Sequence, residues 1–235
     1  MKIEVITSFN RAYYDLIGKS AVESWLAYWP QELGLTCYVE EFTLPEQDRI
    51  RQIPFTELGF EYWLFMRNTE RDRVKIFAKK AYSIIHAFEH STADRIVWLD
   101  ADVITEKAIP LKTVQRLCPD DTLATFMGVT HDDKWFSAET GVFVVNRNHP
   151  EFKAFAARYR EYYDRRIKDN IRRFYDGEVF GAVIKEFEPQ AKFNDLCSDL
   201  KKNYKTPLKH TVLGPFLHHY KAKHSKDDFA RQDET

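Results

Sequence analysis

The sequence predicts a single α/β domain, a Rossmann-like and mostly parallel central sheet flanked by helices. Three observations carry that expectation. Ile96–Leu99 is an unbroken apolar run, the pattern of a strand buried on both faces. The stretch from Lys2 to Phe42 alternates strand, amphipathic helix and strand, the order that builds parallel sheets. Apolar stripes at helical spacing over Val74–His90 and beyond Pro150 supply layers to cover such a sheet.

The elements follow in chain order. Lys2–Ile6 alternates as a first strand and closes in a polar turn, Thr7-Ser8-Phe9-Asn10. A helix over Tyr13–Trp29 presents Ile17, Ala21, Trp25 and Tyr28 on one face and stops at Pro30. Leu35–Phe42 is a second strand. Neither G-x-G-x-x-G nor G-x-x-x-x-G-K-[ST] occurs, so the common glycine-rich phosphate cradles are absent. A nucleotide would then be held by side chains of the first loop: Thr7, Ser8, Asn10 and Arg11. The competing reading, equally good for either residue alone, is that Ser8 and Asn10 cap the next helix.

Pro45–Arg73 reads as irregular. Val74–His90 is a helix with Phe77, Ala81, Ile84, Ile85 and Phe88 on its stripe and Lys79 and Lys80 at its edge. After the Ile96–Leu99 strand come Asp100 and Asp102. Ligands of open α/β sheets gather beyond the carboxyl ends of the strands. Two carboxylates in that position can share one hard cation, which bridges substrate phosphates. A Pro110-marked helix, a Thr122–Val129 strand, a polar Thr130–Ala138 loop and a Glu139–Asn146 strand follow.

From Pro150 the stripe Phe152, Phe155, Tyr159, Tyr163, Ile167, Ile171 and Phe174 predicts one long helix. Its other face carries Arg158, Arg160, Arg165, Arg166, Arg172 and Arg173. A solvated face is expected there, with a basic acceptor-binding surface as the alternative. Asp176-Gly177-Glu178 reads as a glycine-hinged turn before the apolar run Val179–Ile184. Val212–Lys226 is the closing element. With no repeat or linker, residues 1–226 form one domain and 227–235 a polar tail.

Composition limits the function classes. The 235 residues are 44% hydrophobic and 15% aromatic, enough for a packed core. Lys plus Arg number 35 against 36 for Asp plus Glu, a net charge of -1 that gives no general affinity for nucleic acid or anionic membrane. Cys37, Cys118 and Cys197 are odd in number and outside any Cys-x-x-Cys spacing, which argues for reduced thiols and against a disulfide framework or zinc site. M-K-I-E-V-I-T lacks a signal-peptide core, and no apolar run reaches membrane-spanning length. The expectation is a soluble cytoplasmic protein of unspecified oligomeric state.

This ordered set of motifs resembles the GT-A class of metal-dependent nucleotide-sugar glycosyltransferases, and within it the family-8 pattern. Trp98–Val103 (W-L-D-A-D-V) is similar to the Y-L-D-x-D-V metal motif, and Glu139–Asn146 to an N-S-G-v-x-x-x-N strand. Asp176-Gly177-Glu178 falls on a D-Q-D segment, and His219 with Lys226 on a late metal-binding histidine before a lysine. The resemblance implies a GT-A fold and an enzyme moving a hexosyl group from a UDP- or GDP-linked donor to a hydroxyl of a glycan or protein-linked glycan. It also implies Mn²⁺ or Mg²⁺ on Asp100, Asp102 and His219, with His218 as the alternative ligand. Lys80 and Lys226 would add positive charge at the diphosphate, and Asp100 would hold the ribose or a metal-bound water.

Two departures are visible. Gly177 replaces the glutamine of retaining members, which points to inversion. Ala222 replaces a glycine, and Lys226 is displaced by one position. Inversion needs a carboxylate to take the acceptor proton, for which Asp133, Glu139, Asp176 and Glu178 are the candidates. Three other readings compete. D-A-D-V-I also fits haloacid-dehalogenase phosphatases, but their nucleophile ends the first strand, and here a β-α-β unit precedes it. A sugar-phosphate nucleotidylyltransferase lacks its glycine-rich loop here, T-S-F-N-R standing in its place. The third is a non-catalytic nucleotide- or carbohydrate-binding module.

Overall fold

The computed structural model describes residues 1–130, 135–198 and 207–220. In chain order, β1 (Ile3–Asn10) leads into a helical segment made of α1 (Arg11–Tyr13), a π-helical turn (Tyr14–Gly18) and α2 (Lys19–Tyr28). Then come β2 (Gly34–Glu40), β3 (Ile50–Pro54), α3 (Phe60–Arg67) and α4 (Asp72–His90). They are followed by β4 (Arg95–Leu99), β5 (Val103–Thr105), α5 (Leu111–Arg116), β6 (Thr122–Thr130) and β7 (Phe136–Asn146). The remainder is α6 (Phe152–Asp164), α7 (Asp176–Phe187), β8 (Lys192–Asp195) and β9 (Leu217–His219).

Seven strands form one sheet in the order β3-β2-β1-β4-β7-β6-β8, and β5 pairs with β9 beside it. The β3-β2-β1-β4 half is wholly parallel, and β7 runs antiparallel to both β4 and β6. This is the mixed, mostly parallel α/β sheet that the sequence predicts. The chain leaves β1 to one side through β2 and β3, then returns through α4 to β4 on the other side. The gap between the carboxyl ends of β1 and β4 is therefore the topological switch point, where ligands of such sheets bind.

Alternation along the strands sorts the core into two layers. Ile6, Tyr38, Ile96, Trp98 and Phe143 face α3, α4, α6 and α7. Val5, Cys37, Val39, Val97, Leu99 and Val144 face α2, α5 and the β5–β9 pair. Ile96–Leu99 of β4 are all buried, as an unbroken apolar run requires, and Arg95 before them is buried too, with its guanidinium held by Asn146 and Asp120. The three cysteines are free and buried. Among the described residues no helix is long and apolar enough to cross a membrane.

Four expectations are corrected. Thr7–Asn10 is strand, not loop: β1 continues beside β2 to Asn10. Pro45–Arg73 is not irregular, since it holds β3 and α3; β3 is an edge strand ending in Pro54, where a missing N–H costs no ladder bond. The long helix ends at Asp164. Arg166 turns left-handed (φ 53°) with its N–H on the Tyr163 carbonyl, while Ile167, Ile171 and Phe174 still pack on the core from non-helical backbone. Asp176-Gly177-Glu178 is the first turn of α7, not a hinge. His131, Asp132, Asp133, Lys226 and the tail lie outside the described residues.

Candidate active site

The acid pair is carried past the end of β4. The Asp100 N–H donates to the Gly141 carbonyl at 2.8 Å, extending the β4–β7 ladder by one residue, and the Val103 N–H closes a turn onto the Asp100 carbonyl at 3.0 Å. That turn delivers Asp102 and starts β5. Antiparallel pairing sets His219 of β9 opposite Val103, and the Tyr220 N–H bonds the Asp102 carbonyl at 2.9 Å. His219 thus reaches the acids from more than a hundred residues away. Its neighbour His218 points to the other side of the strand, as alternation demands, and lies 3.8 Å from Glu106.

The carboxylates are oriented from outside. Asp100 Oδ1 accepts from Lys80 Nζ at 2.6 Å and Trp98 Nε1 at 2.7 Å, and Asp102 Oδ2 accepts from the Tyr13 hydroxyl at 2.7 Å. The opposite oxygens face His219 Nε2, Asp100 Oδ2 at 3.8 Å and Asp102 Oδ1 at 3.0 Å. One donor atom from each of the three residues lies within 4.8 Å of the others. Two hard carboxylate oxygens and a borderline imidazole nitrogen form a donor set that fits one divalent cation. On the far side of the ring, His219 Nδ1 lies 3.5 Å from Glu139 Oε1, which accepts the Gly141 N–H at 3.0 Å. Gly141 is required here by contact: a Cβ would come within 2.5 Å of the His219 ring.

Lys80 ties this centre to the start of α7. Its ammonium reaches Asp176 Oδ2 at 2.7 Å and the Thr140 carbonyl at 2.7 Å, and the Thr140 hydroxyl donates to Asp176 at 2.6 Å. Burial raises the Asp176 pKa, but the Lys80 charge with hydrogen bonds from Lys80, Thr140 and the Gly177 N–H outweighs it and holds the carboxyl below its ordinary value. Asp100 goes the other way: burial, helped by Asp102 and Asp176, outweighs Lys80 and His219 and raises it. Burial lowers Lys80, and its two carboxylates more than reverse this. Burial first, then the Asp102 charge, raises the Tyr13 phenol.

A cavity of about 690 Å³ opens over these groups, lined by Ser8, Asn10, Lys80, Asp100, Asp102, Glu139, Asp176, Glu178 and His219 among others. Its size and its place at the switch point suit a sizeable polar ligand. Of the residues expected to hold a nucleotide, Ser8 and Asn10 line it. Thr7 is buried below, and Arg11 is turned to an exposed pair with Asp15. Asn10 also caps the following helix through the Tyr13 N–H at 2.8 Å, so the capping reading is right for that residue. Of the candidate bases, Asp176 is committed to Lys80, and Glu178 Oε2 accepts the Arg172 and Arg173 backbone N–H groups at 2.7 and 2.9 Å. Sequence reasoning missed Tyr13 and Thr140. Trp98 carried a signal, since it sits two positions before Asp100 on an extended segment and shares its side of the strand.

No family model and no curated protein sequence matches the chain. Solved structures do. An active-site mutant of LgtC matches with a TM-score of 0.61 at 14% identity, over 97% of this chain and 95% of that one; another LgtC structure is described as a galactosyltransferase in complex with donor and acceptor sugar analogues. Mouse xyloside xylosyltransferase 1 matches at 0.58 and 14% identity, over 84% of this chain and 86% of the other. A glycosyltransferase involved in glycosylating the major capsid of PBCV-1 matches at 0.57 and 14% identity over 100% of both chains. The chain has the fold of the GT-A glycosyltransferases.

Proposed function

We propose that the protein is a metal-dependent glycosyltransferase of the family-8 pattern that moves a hexosyl group from a nucleoside diphosphate sugar to a glycan hydroxyl. The observation that carries the reading is the convergence of Asp100, Asp102 and His219 at the switch-point cavity of a GT-A fold. These three residues would hold Mn²⁺ or Mg²⁺, the imidazole favouring Mn²⁺. When bound, the ion supplies positive charge for the leaving diphosphate.

The chain's own residues do the rest. Tyr13, Trp98 and Lys80 fix the outer carboxylate oxygens, so the inner ones are pre-oriented. Ser8 and Asn10 at the end of β1 supply hydroxyl and amide groups on the side where a nucleoside would lie. Lys80 joins the acid pair to Asp176, so one buried cation spans the candidate metal centre and the start of α7. Asp176, lowered by that cation, is a weak base and serves to position Lys80. Of the candidate bases among the described residues, an inverting transfer then leaves Glu139 and Glu178, which both line the cavity, to accept the acceptor's proton; Asp133 stays a candidate outside them.

The test is a thermal-shift panel of UDP and GDP with Mn²⁺ or Mg²⁺, followed by an assay of metal-dependent nucleotide release from UDP- and GDP-sugars. Stabilisation by nucleotide with metal, together with slow release, supports an enzyme. Stabilisation without any release indicates a binding module. Product anomericity, read by NMR against the donor's, decides inversion.

A further inference from the structure

Among the described residues, two arginines in the cavity wall have no acid to answer them. Arg73 lies in the first turn of α4 and Arg173 shortly before α7, and both line the cavity. Their guanidinium groups lie over the same ring, that of Tyr175, at 4.6 and 5.9 Å from its centre, and Tyr175 packs on Phe77 with ring centres 4.9 Å apart. Among the described residues neither guanidinium has a carboxylate within ion-pair distance. The arginines on and just after α6 contrast with this pair. Arg158 meets Glu161 and Glu186, Arg160 meets Glu89 and Asp164, and Arg165 meets Glu161. Those form the solvated, self-matched face. Glu178, in the same cavity wall as the pair, gives Oε2 to backbone N–H groups.

The pair is also set apart from the candidate metal centre. Arg73 precedes Lys80 by seven residues on α4, about 10 Å of helix at 1.5 Å per residue. Stacking on an aromatic ring restrains a guanidinium and leaves its planar fork free for a carboxylate or phosphate. We propose that Arg73, Arg173 and Tyr175 form a subsite for an anionic saccharide group, a carboxylate or phosphate ester carried by the acceptor glycan or by the transferred sugar. This rests on the glycosyltransferase reading above and deepens it. The guanidinium forks take the acidic group by charge-assisted hydrogen bonds, and the Tyr175–Phe77 wall supplies an apolar surface beside it.

The experiment measures equilibrium binding of methyl glucoside, methyl glucuronide, glucose 6-phosphate and inorganic phosphate to the parent and to the double variant Arg73→Gln/Arg173→Gln. Both arginines are exposed, and urea unfolding checks that the variant keeps the parent's stability. An acidic saccharide should bind about ten-fold tighter than the neutral one, a preference that shrinks with salt and disappears in the double variant. Equal binding of neutral and acidic ligands, among the free glycosides and among nucleotide sugars alike, or a preference that survives the double substitution, overturns the proposal. Inorganic phosphate binding as tightly as glucose 6-phosphate overturns it as a saccharide subsite. A second arm compares UDP-glucuronate with UDP-glucose. An arginine-dependent preference confined to this arm assigns the acid to the transferred sugar, and one confined to the free glycosides assigns it to the acceptor. None of these readouts needs turnover, so failure of the glycosyltransferase reading shows separately, as absent metal-dependent release of UDP.

Discussion

Asp100-Ala101-Asp102 and Asp176-Gly177-Glu178 each set two acids two residues apart, and both segments line one cavity. They use that spacing in different ways. The first pair follows a strand, and the turn after β4 lets both carboxylates reach the same imidazole. The second pair sits in the first turn of α7, where two residues correspond to a rotation of about 200°. Asp176 accordingly faces inward to Lys80 and Thr140, while Glu178 turns back to the backbone of Arg172 and Arg173. An i, i+2 acid pair therefore has chemical meaning only once the local backbone is known.

The largest expected effect belongs to the first pair. If two acids and His219 serve one cation, Asp102→Ala should remove all Mn²⁺-dependent stabilisation by UDP or GDP and leave the metal-free fold intact. At a hundred-fold excess over Kd the parent should gain about 2.7 kcal/mol. Thermal shift with and without EDTA reads this directly. A variant that responds like the parent would break the comparison at its stronger half.

Next in size is the link between the segments. Lys80→Met leaves the half-buried Asp100 and the buried Asp176 without their shared cation, and loss of one partner of a buried ion pair costs about 3–5 kcal/mol. Urea unfolding should show a loss on that scale. Adding Asp176→Asn to Lys80→Met should recover part of it, because one uncompensated charge goes. A loss below about 1 kcal/mol, the range of exposed pairs, would mean that solvent screens the triad and that the segments are energetically separate.

How legible each part was follows from how local its physics is. β4 and its acid pair were readable because an apolar run and the carboxylates ending it are contiguous in sequence. The helical stripe beyond Pro150 misled because Ile167, Ile171 and Phe174 keep the apolar spacing and join the same core after α6 has ended. β3 was missed as a short edge strand whose only buried residue is Ile53. His219 was reached through resemblance, since nothing near it in sequence announces Asp102. Tyr13 was not reached at all: its hydroxyl meets a carboxylate 89 positions away, across a π-helical turn that no apolar period marks.

The glycine between the second pair of acids gives a smaller test. The sequence suggests a glycine-hinged turn at Gly177, yet within α7 the requirement for glycine is contact: a Cβ there would lie 2.3 Å from the Ala138 carbonyl oxygen. Gly177→Ala should destabilise by about 1–3 kcal/mol, the range of overpacking, by pushing α7 from β7. If Gly177 were instead only an unconstrained residue of the helix, alanine would be tolerated or would stabilise it. Denaturant midpoints separate the two.

The smallest expected signal is the pH-dependent part of Asp176's contribution to stability. Its ionised form is favoured in the folded chain, so its pKa lies below the ordinary 3.8. The folded state then binds fewer protons than the unfolded state in that window, and stability rises with pH there. The contribution is complete above 3.8 and is lost as pH falls through the lower, folded value. Asp176→Asn lacks it. In EDTA, the difference in unfolding free energy between parent and Asp176→Asn should be flat from pH 7 to about pH 5 and narrow below 3.8. Taking the difference removes most of the opposing contribution of Asp100, which both chains share. A difference that widens on acidification would mean that Asp176 is protonated more readily when folded, as a carboxyl raised by burial would be. Asp176 would then return to the list of candidate bases.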